Sequence, residues 1–256
     1  MCEIFALSAK RPIEPDAYLH EFFSDSAWNP HGWGLVWYGD QGRELFKEPV
    51  QAVESGLLKY VLSWDLCSKL LIAHIRNATR GTLAYANCHP FEFADSCGRS
   101  WSICHNGTII DETLTSRFGA VQEGCTDTER VSLLLHERLD AEIAEKGSQL
   151  SFEERFAVLG QLVADLSPSN KLNLAIEDGE YLYIHTNTFQ PTLYENVLDD
   201  GVVFCSRPIG TEDLWSPVPS CRLLAFRDGK MVEAAPDHGH GFDNDRYLKL
   251  IAEGKI

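Results

Sequence analysis

The chain is short of basic residues: lysine and arginine number 22 against 38 aspartates and glutamates, a formal charge of −16. Such a balance repels a phosphate backbone and an anionic bilayer alike, so neither nucleic acid nor an anionic membrane is expected as a partner. No apolar run approaches the roughly 18 residues of a membrane span, and the first residues lack the basic-then-apolar pattern of a secretory signal. A cytoplasmic location is the expectation. Eight cysteines, at positions 2, 67, 88, 97, 104, 125, 205 and 221, form no CxxC pair. A chain this long needs no disulfide staples, so reduced thiols are expected. Repeats, low-complexity tracts and linkers are also missing, which argues for one domain over residues 2–256.

What is present is ordinary globular material, 44% hydrophobic and 23% charged. CEIFALSA, GWGLVWYG, LLIAHIRNAT, RSWSICHNGTII, KLNLAIED, YLYIHTN, GVVFCSRPI, CRLLAFRD and KMVEAA are rich in β-branched or aromatic residues between turn formers, and read as strands. Asp-Gly pairs in AIEDGEYLYI and AFRDGKMVEA predict hairpins, hence a largely antiparallel sheet. Helices are predicted in PDAYLHEFFSD, QAVESGLLKYVLSWDL, TDTERVSLLLHERLDAEIAEK and SFEERFAVLGQLVADL. The last two open on capping boxes, Thr126 to Glu129 and Ser151 to Glu154, and Val131, Leu135 and Leu139 form a buried stripe. GHGFDND near the C-terminus reads as surface loop. Strands with paired helices imply an α+β fold of packed sheets covered by helices.

Four stretches combine residue types that are costly to assemble: Cys2 at the terminus, AHIRNATRG, CHNGTI and CTDTE. Removal of Met1, which a small second residue permits, would give Cys2 a thiol nucleophile and a free α-amine on one residue. Arg76 in an apolar strand is either a salt bridge at the strand end or a bidentate carboxylate clamp. Asn106-Gly107 is either a hairpin turn or an oxyanion hole, a side-chain amide and a backbone N–H aimed at developing negative charge. Asp127 is a first-turn carboxylate complementing the helix dipole, a place from which it could also bind an ammonium.

The ordered set resembles the class II glutamine amidotransferases, N-terminal nucleophile hydrolases marked by a terminal cysteine, an HxRxAT strand, an HNGxI turn and a TDTE helix start. Here these are Met1-Cys2, His74 to Thr79, His105 to Ile109 and Thr126 to Glu129; HGWGLVWY and NCHPF look like further family segments. The resemblance implies a four-layer αββα sandwich of two antiparallel sheets. It also implies roles. Cys2 attacks the γ-amide of a glutamine-like substrate, its α-amine serving as base. Asn106 and Gly107 hold the oxyanion, Arg76 takes the α-carboxylate with help from Thr79, and Asp127 takes the α-ammonium. No cofactor or metal is called for. Where synthase members read HTRWATHG, this chain has Asn77 and Arg80, so a γ-glutamyl group is a safer expectation than glutamine itself. The chain ends without a synthase domain, resembling the stand-alone branch that includes γ-glutamyl amide hydrolases of thiol metabolism. Hydrolysis is therefore favoured over transfer, with ammonia delivery to a synthase partner and a non-catalytic γ-glutamyl-binding module as alternatives. A zinc site built from Cys88, His89, Cys97, Cys104 and His105 is disfavoured, because strand neighbours Cys104 and His105 should face opposite ways.

Overall fold

The computed structural model describes residues 2–39, 42–78, 82–110, 112–168 and 170–252, the last three by backbone alone. In chain order the elements are β1 (Glu3–Ile13), α1 (Asp16–Ser24), β2 (Trp33–Gly39), β3 (Gly42–Glu48), α2 (Gly56–Val61), β4 (Ser68–Ile75), β5 (Phe91–Ala94), β6 (Ser100–His105), α3 (Thr113–Phe118), α4 (Asp127–Lys146), α5 (Phe152–Leu166), β7 (Leu174–Glu177), β8 (Leu182–Thr186), β9 (Tyr194–Leu198), β10 (Gly201–Cys205), β11 (Ser216–Pro217), β12 (Arg222–Arg227), β13 (Lys230–Ala234) and α6 (Asn244–Ala252). Among the described residues they form a seven-stranded sheet, β11-β9-β10-β1-β4-β2-β3, and a six-stranded sheet, β13-β12-β8-β7-β6-β5.

Strand β1 shows why the sheets stack. Phe5, Leu7 and Ala9 face a core shared with Leu19, Phe22 and Phe23 of α1, while Ile4 and Ala6 face a second core between the sheets. Both faces are apolar because both are buried, which turns the expected alternation into a continuous apolar run. The six-stranded sheet is covered in turn by α4 and α5, whose Val131, Leu135, Leu139, Leu159 and Leu162 pack on Trp101, Ile103 and Leu174. The four layers are those of the expected αββα sandwich.

Two strands escaped the sequence reading for one reason, edge position. β3 (GRELFKE) lies at an edge of the larger sheet and β5 at an edge of the smaller, where half the side chains meet water and apolar enrichment is weak. The stretch 51–66 holds only the six-residue α2 after a 3₁₀ turn at Ala52–Glu54. The GHGFDND segment is surface only in part: Gly239, His240, Asp243 and Asp245 are exposed, but Phe242 is buried and bridges Thr188, and Asn244 accepts a hydrogen bond from Lys171 Nζ at 3.0 Å. The predicted hairpins are present, β12 to β13 turning through Asp228 (φ 51°) and Gly229 (φ 73°) in the left-handed conformation such turns require. Ser151 and Glu154 form the full capping box on α5. On α4 only half forms: Thr126 Oγ1 accepts from Glu129 N–H at 3.2 Å, but the Glu129 carboxylate turns back to Glu123 and Gly124 N–H.

Candidate active site

Strand alternation by itself brings the site together. Cys2 continues the inward-facing series of Ile4 and Ala6, Arg76 that of Leu70, Ile72 and His74, and Asn106 that of Ser102 and Cys104. Register places Glu3 opposite Ile75 and Ile4 opposite His74, so Cys2 and Arg76 leave adjacent strands at the same level. Because β1 begins where its antiparallel neighbour β4 ends, the chain start opens onto one mouth of the space between the sheets. His105, of opposite parity, points the other way, to Thr128 Oγ1 on α4 at 3.1 Å. Cys104 and His105 thus diverge, and among the described residues no group of three or more His, Cys, Asp or Glu has the geometry to hold a metal.

At that mouth lies a cavity of about 300 Å³. Cys2, Arg76, Gly107 and Asp127 line it together with Ala78 and Thr108. The Cys2 sulfur accepts from the Asn77 backbone N–H at 3.3 Å and donates to the Asn77 carbonyl at 3.5 Å. Burial raises the thiol pKa, partly offset by that N–H and by the Arg76 charge, so the resting group is a neutral thiol. Such a thiol would need a base to act as a nucleophile.

Arg76 is buried and directs one amino group to the Thr82 carbonyl at 3.2 Å. Asp127 is the first residue of α4; one carboxylate oxygen accepts from Ile109 N–H at 2.8 Å and the other from Thr128 N–H at 2.9 Å. Each oxygen keeps lone pairs for a further donor. Gly107 sits where no side chain fits: a Cβ there would stand 1.9 Å from the Lys171 carbonyl oxygen and 2.2 Å from His105 Nε2. Asn106 is buried behind the cavity wall, its amide Nδ2 donating to Ser206 Oγ at 3.1 Å and its N–H to the Asn173 carbonyl at 2.9 Å. It forms no hairpin, since β6 leads on towards α3. Thr79 and Met1 lie outside the described residues.

Two histidines also line the cavity, His89 and His105, and neither was predicted to be there. His105 donates through Nε2 to the Lys171 carbonyl at 3.0 Å, which leaves Nδ1 to accept from Thr128. His89 Nδ1 accepts from His105 N–H, and burial together with the neighbouring His74 and His105 holds its pKa well below the ordinary histidine value. Both are neutral and weakly basic. Nor do His31, which accepts from Ala78 N–H at 2.9 Å, or the fully buried His74 present a free general base.

Sequence reasoning also missed Ser206 and Arg207, just beyond β10. Ser206 Oγ accepts from both Ile4 N–H and Asn106, while Arg207 pairs with Glu3 and Asp25. No motif marks them, although Ser206 extends the inward series of Val202 and Phe204 and could have been found by parity.

With this geometry in view, comparison with known proteins gives consistent results. A family model described as Glutamine amidotransferases class-II matches residues 1–197. A gamma-glutamyl-hercynylcysteine sulfoxide hydrolase of Mycolicibacterium smegmatis is 26% identical over 208 residues, covering 80% of this chain and 81% of that protein. Among solved structures, a predicted glutamine amidotransferase of Pseudomonas aeruginosa PA01 superposes with a TM-score of 0.63 at 19% identity, over 91% of this chain and all of its own. The glutamine phosphoribosylpyrophosphate amidotransferase of B. subtilis gives 0.68 at 18% identity, over 91% of this chain and 49% of that one. At such identities the two structures speak for the fold.

Proposed function

Since the chain belongs to the class-II glutamine amidotransferases, we propose that it is an amidohydrolase that cleaves the γ-amide of glutamine or of a γ-glutamyl compound through a Cys2 thioester. The observation that carries the proposal is that Cys2, Arg76, Gly107 and Asp127 line one cavity, a nucleophile and two opposite charges around a single small space. A γ-glutamyl substrate has the matching pattern: an α-carboxylate for Arg76, an α-ammonium for Asp127, and a γ-carbonyl at the reach of a four-atom chain.

The base follows by elimination. The cavity histidines are depressed in basicity by burial, whereas an α-amine titrates near 7.7–8.0 and suits a general base at neutral pH. Removal of Met1 frees that amine on the nucleophile's own residue. It takes the thiol proton as sulfur attacks the carbonyl carbon of the γ-amide; the carbonyl oxygen becomes an oxyanion held by Gly107 N–H and the Asn106 amide. Collapse returns the proton to the leaving nitrogen, so ammonia or an amine departs and a γ-glutamyl thioester remains. Water, deprotonated by the same amine, then releases glutamate and restores the thiol.

Hydrolysis, rather than transfer to an acceptor, is supported by the Mycolicibacterium relative, itself named as a hydrolase of a γ-glutamyl compound. The test is glutamate release from L-glutamine and a panel of γ-glutamyl amides, using protein whose N-terminus is verified as Cys2, beside Cys2→Ala. Release that disappears in Cys2→Ala supports the mechanism, and the preferred amide identifies the leaving group. Binding without release identifies a silent γ-glutamyl module, and release only on adding a synthase identifies a partner-dependent glutaminase.

A further inference from the structure

An oxyanion donor must be fixed relative to the nucleophile, and here the two belong to different sheets: Cys2 precedes β1 in one, Asn106 follows β6 in the other. A terminal amide torsion is broad and two-fold, so nothing intrinsic to Asn106 holds its Nδ2 towards the site. One residue touches both sides. Ser206 Oγ accepts from Asn106 Nδ2 at 3.1 Å and from Ile4 N–H at 2.9 Å, and Ser206 N–H donates to the Ile4 carbonyl at 3.0 Å. Next to it, Arg207 pairs with Glu3 and with Asp25, and Glu3 also accepts from Asn29 Nδ2 at 3.2 Å. The two residues after β10 therefore clamp the two residues after Cys2.

We infer that Ser206 is a positioning residue for the amide cleavage: its hydroxyl ties the Asn106 amide to the strand that carries the nucleophile, and so sets the oxyanion donor over the carbon that Cys2 attacks. One Nδ2 proton is occupied by Ser206, which leaves the second to meet the oxyanion. The Ile4 N–H, already directed at the same oxygen, biases the hydroxyl to act as acceptor towards Asn106 and so favours the amide orientation that presents N–H, not oxygen, to developing negative charge. Ser206 touches no substrate; it acts through Asn106. A loss of registration on the scale of an ångström is costly in rate even when binding survives.

The kinetic consequence rests on the amidohydrolase reading; the hydrogen-bonded bridge does not. Ser206→Ala is expected to lower kcat about tenfold, the effect of one lost hydrogen bond, with KM within about twofold, and Ser206→Thr, which keeps the hydroxyl, to restore most of it. In an Asn106→Ala background the further change Ser206→Ala should leave kcat unaltered. Equal kcat losses in both backgrounds, or none in either, would overturn the inference and leave Ser206 as a fold contact of Ile4. A readout independent of turnover keeps the two readings separable. In ¹⁵N-resolved NMR spectra the Asn106 side-chain NH₂ pair should move together in Ser206→Ala and stay near its native position in Ser206→Thr. If wild-type protein releases glutamate from no substrate, the functional proposal fails while the spectra still decide the bridge; if the pair is indifferent to Ser206→Ala, the bridge fails whatever the activity.

Discussion

In the proposed mechanism Asp127 holds the charged head of the substrate and Asn106 its oxyanion, so their losses should look different. Asp127→Ala is expected to raise KM by tenfold or more with a smaller change in kcat. Asn106→Ala should lower kcat by about 10²–10³, the usual size for one oxyanion donor, with KM nearly kept. Steady-state kinetics on the preferred γ-glutamyl amide decides it, and the reverse split would undo both assignments. Gly107→Ala is a different kind of change. The added carbon would meet the Lys171 carbonyl and the His105 ring, both held by other bonds, so a backbone shift costing about 1–3 kcal/mol is expected, read as a lower denaturation midpoint along with lost activity. At this scale Cys2, Arg76, Gly107 and Asp127 were legible because each is an uncommon residue in its local context. Ser206 was not, because a serine after a strand is common and its partners are 202 and 100 residues away.

Among the elements, α4 and α5 offer a controlled comparison, since each starts with a hydroxyl that accepts from the N–H three residues on. Thr126→Ala and Ser151→Ala should each cost about 1 kcal/mol of stability. Only Thr126→Ala should also raise KM, because the residue it caps next to is Asp127, in the cavity wall. Thermal melts beside kinetics of the two variants test this; an unchanged KM in Thr126→Ala would mean that the Ile109 and Thr128 N–H groups alone fix the carboxylate. The helix starts were readable from their caps, whereas the turn of Glu129 back to Glu123 and Gly124 depends on where the preceding loop lies. The edge strands β3 and β5 were hidden for a related reason, since a half-exposed strand has little apolar contrast with a loop.

For the molecule as a whole, buried neutral histidines impose a pH dependence. Burial takes His74 and His185 down to about 3, while in the unfolded chain they titrate near 6.5. Between those values the unfolded state binds more protons, so stability rises with pH; it is complete above about 6.5 and is lost as pH falls towards 3. Each fully depressed histidine contributes about 1.4 kcal/mol per pH unit within that window. Denaturant midpoints measured from pH 7 to pH 4 should fall steadily, and less steeply in His185→Asn, whose site lies between the Leu172 carbonyl and His238. A flat profile would show that these rings protonate in the folded state.

The sequence by itself determined the class of fold and the family, because strand alternation, turn pairs and helix caps are local, and because an ordered set of unusual residues constrains what they can jointly do. Only the tertiary structure decided which residues meet. That the cavity histidines are weakly basic follows from burial, a property of the packed layers. That the C-terminal segment reaches Lys171 follows from a contact 73 residues long in sequence. That Asn106 at the end of a strand in one sheet is tied to β1 of the other through Ser206 follows from the register of β10 on β1, which fixes Ser206 beside Ile4. Side chains that act through distant partners leave no periodic trace in a chain; they become visible when the sheets are stacked.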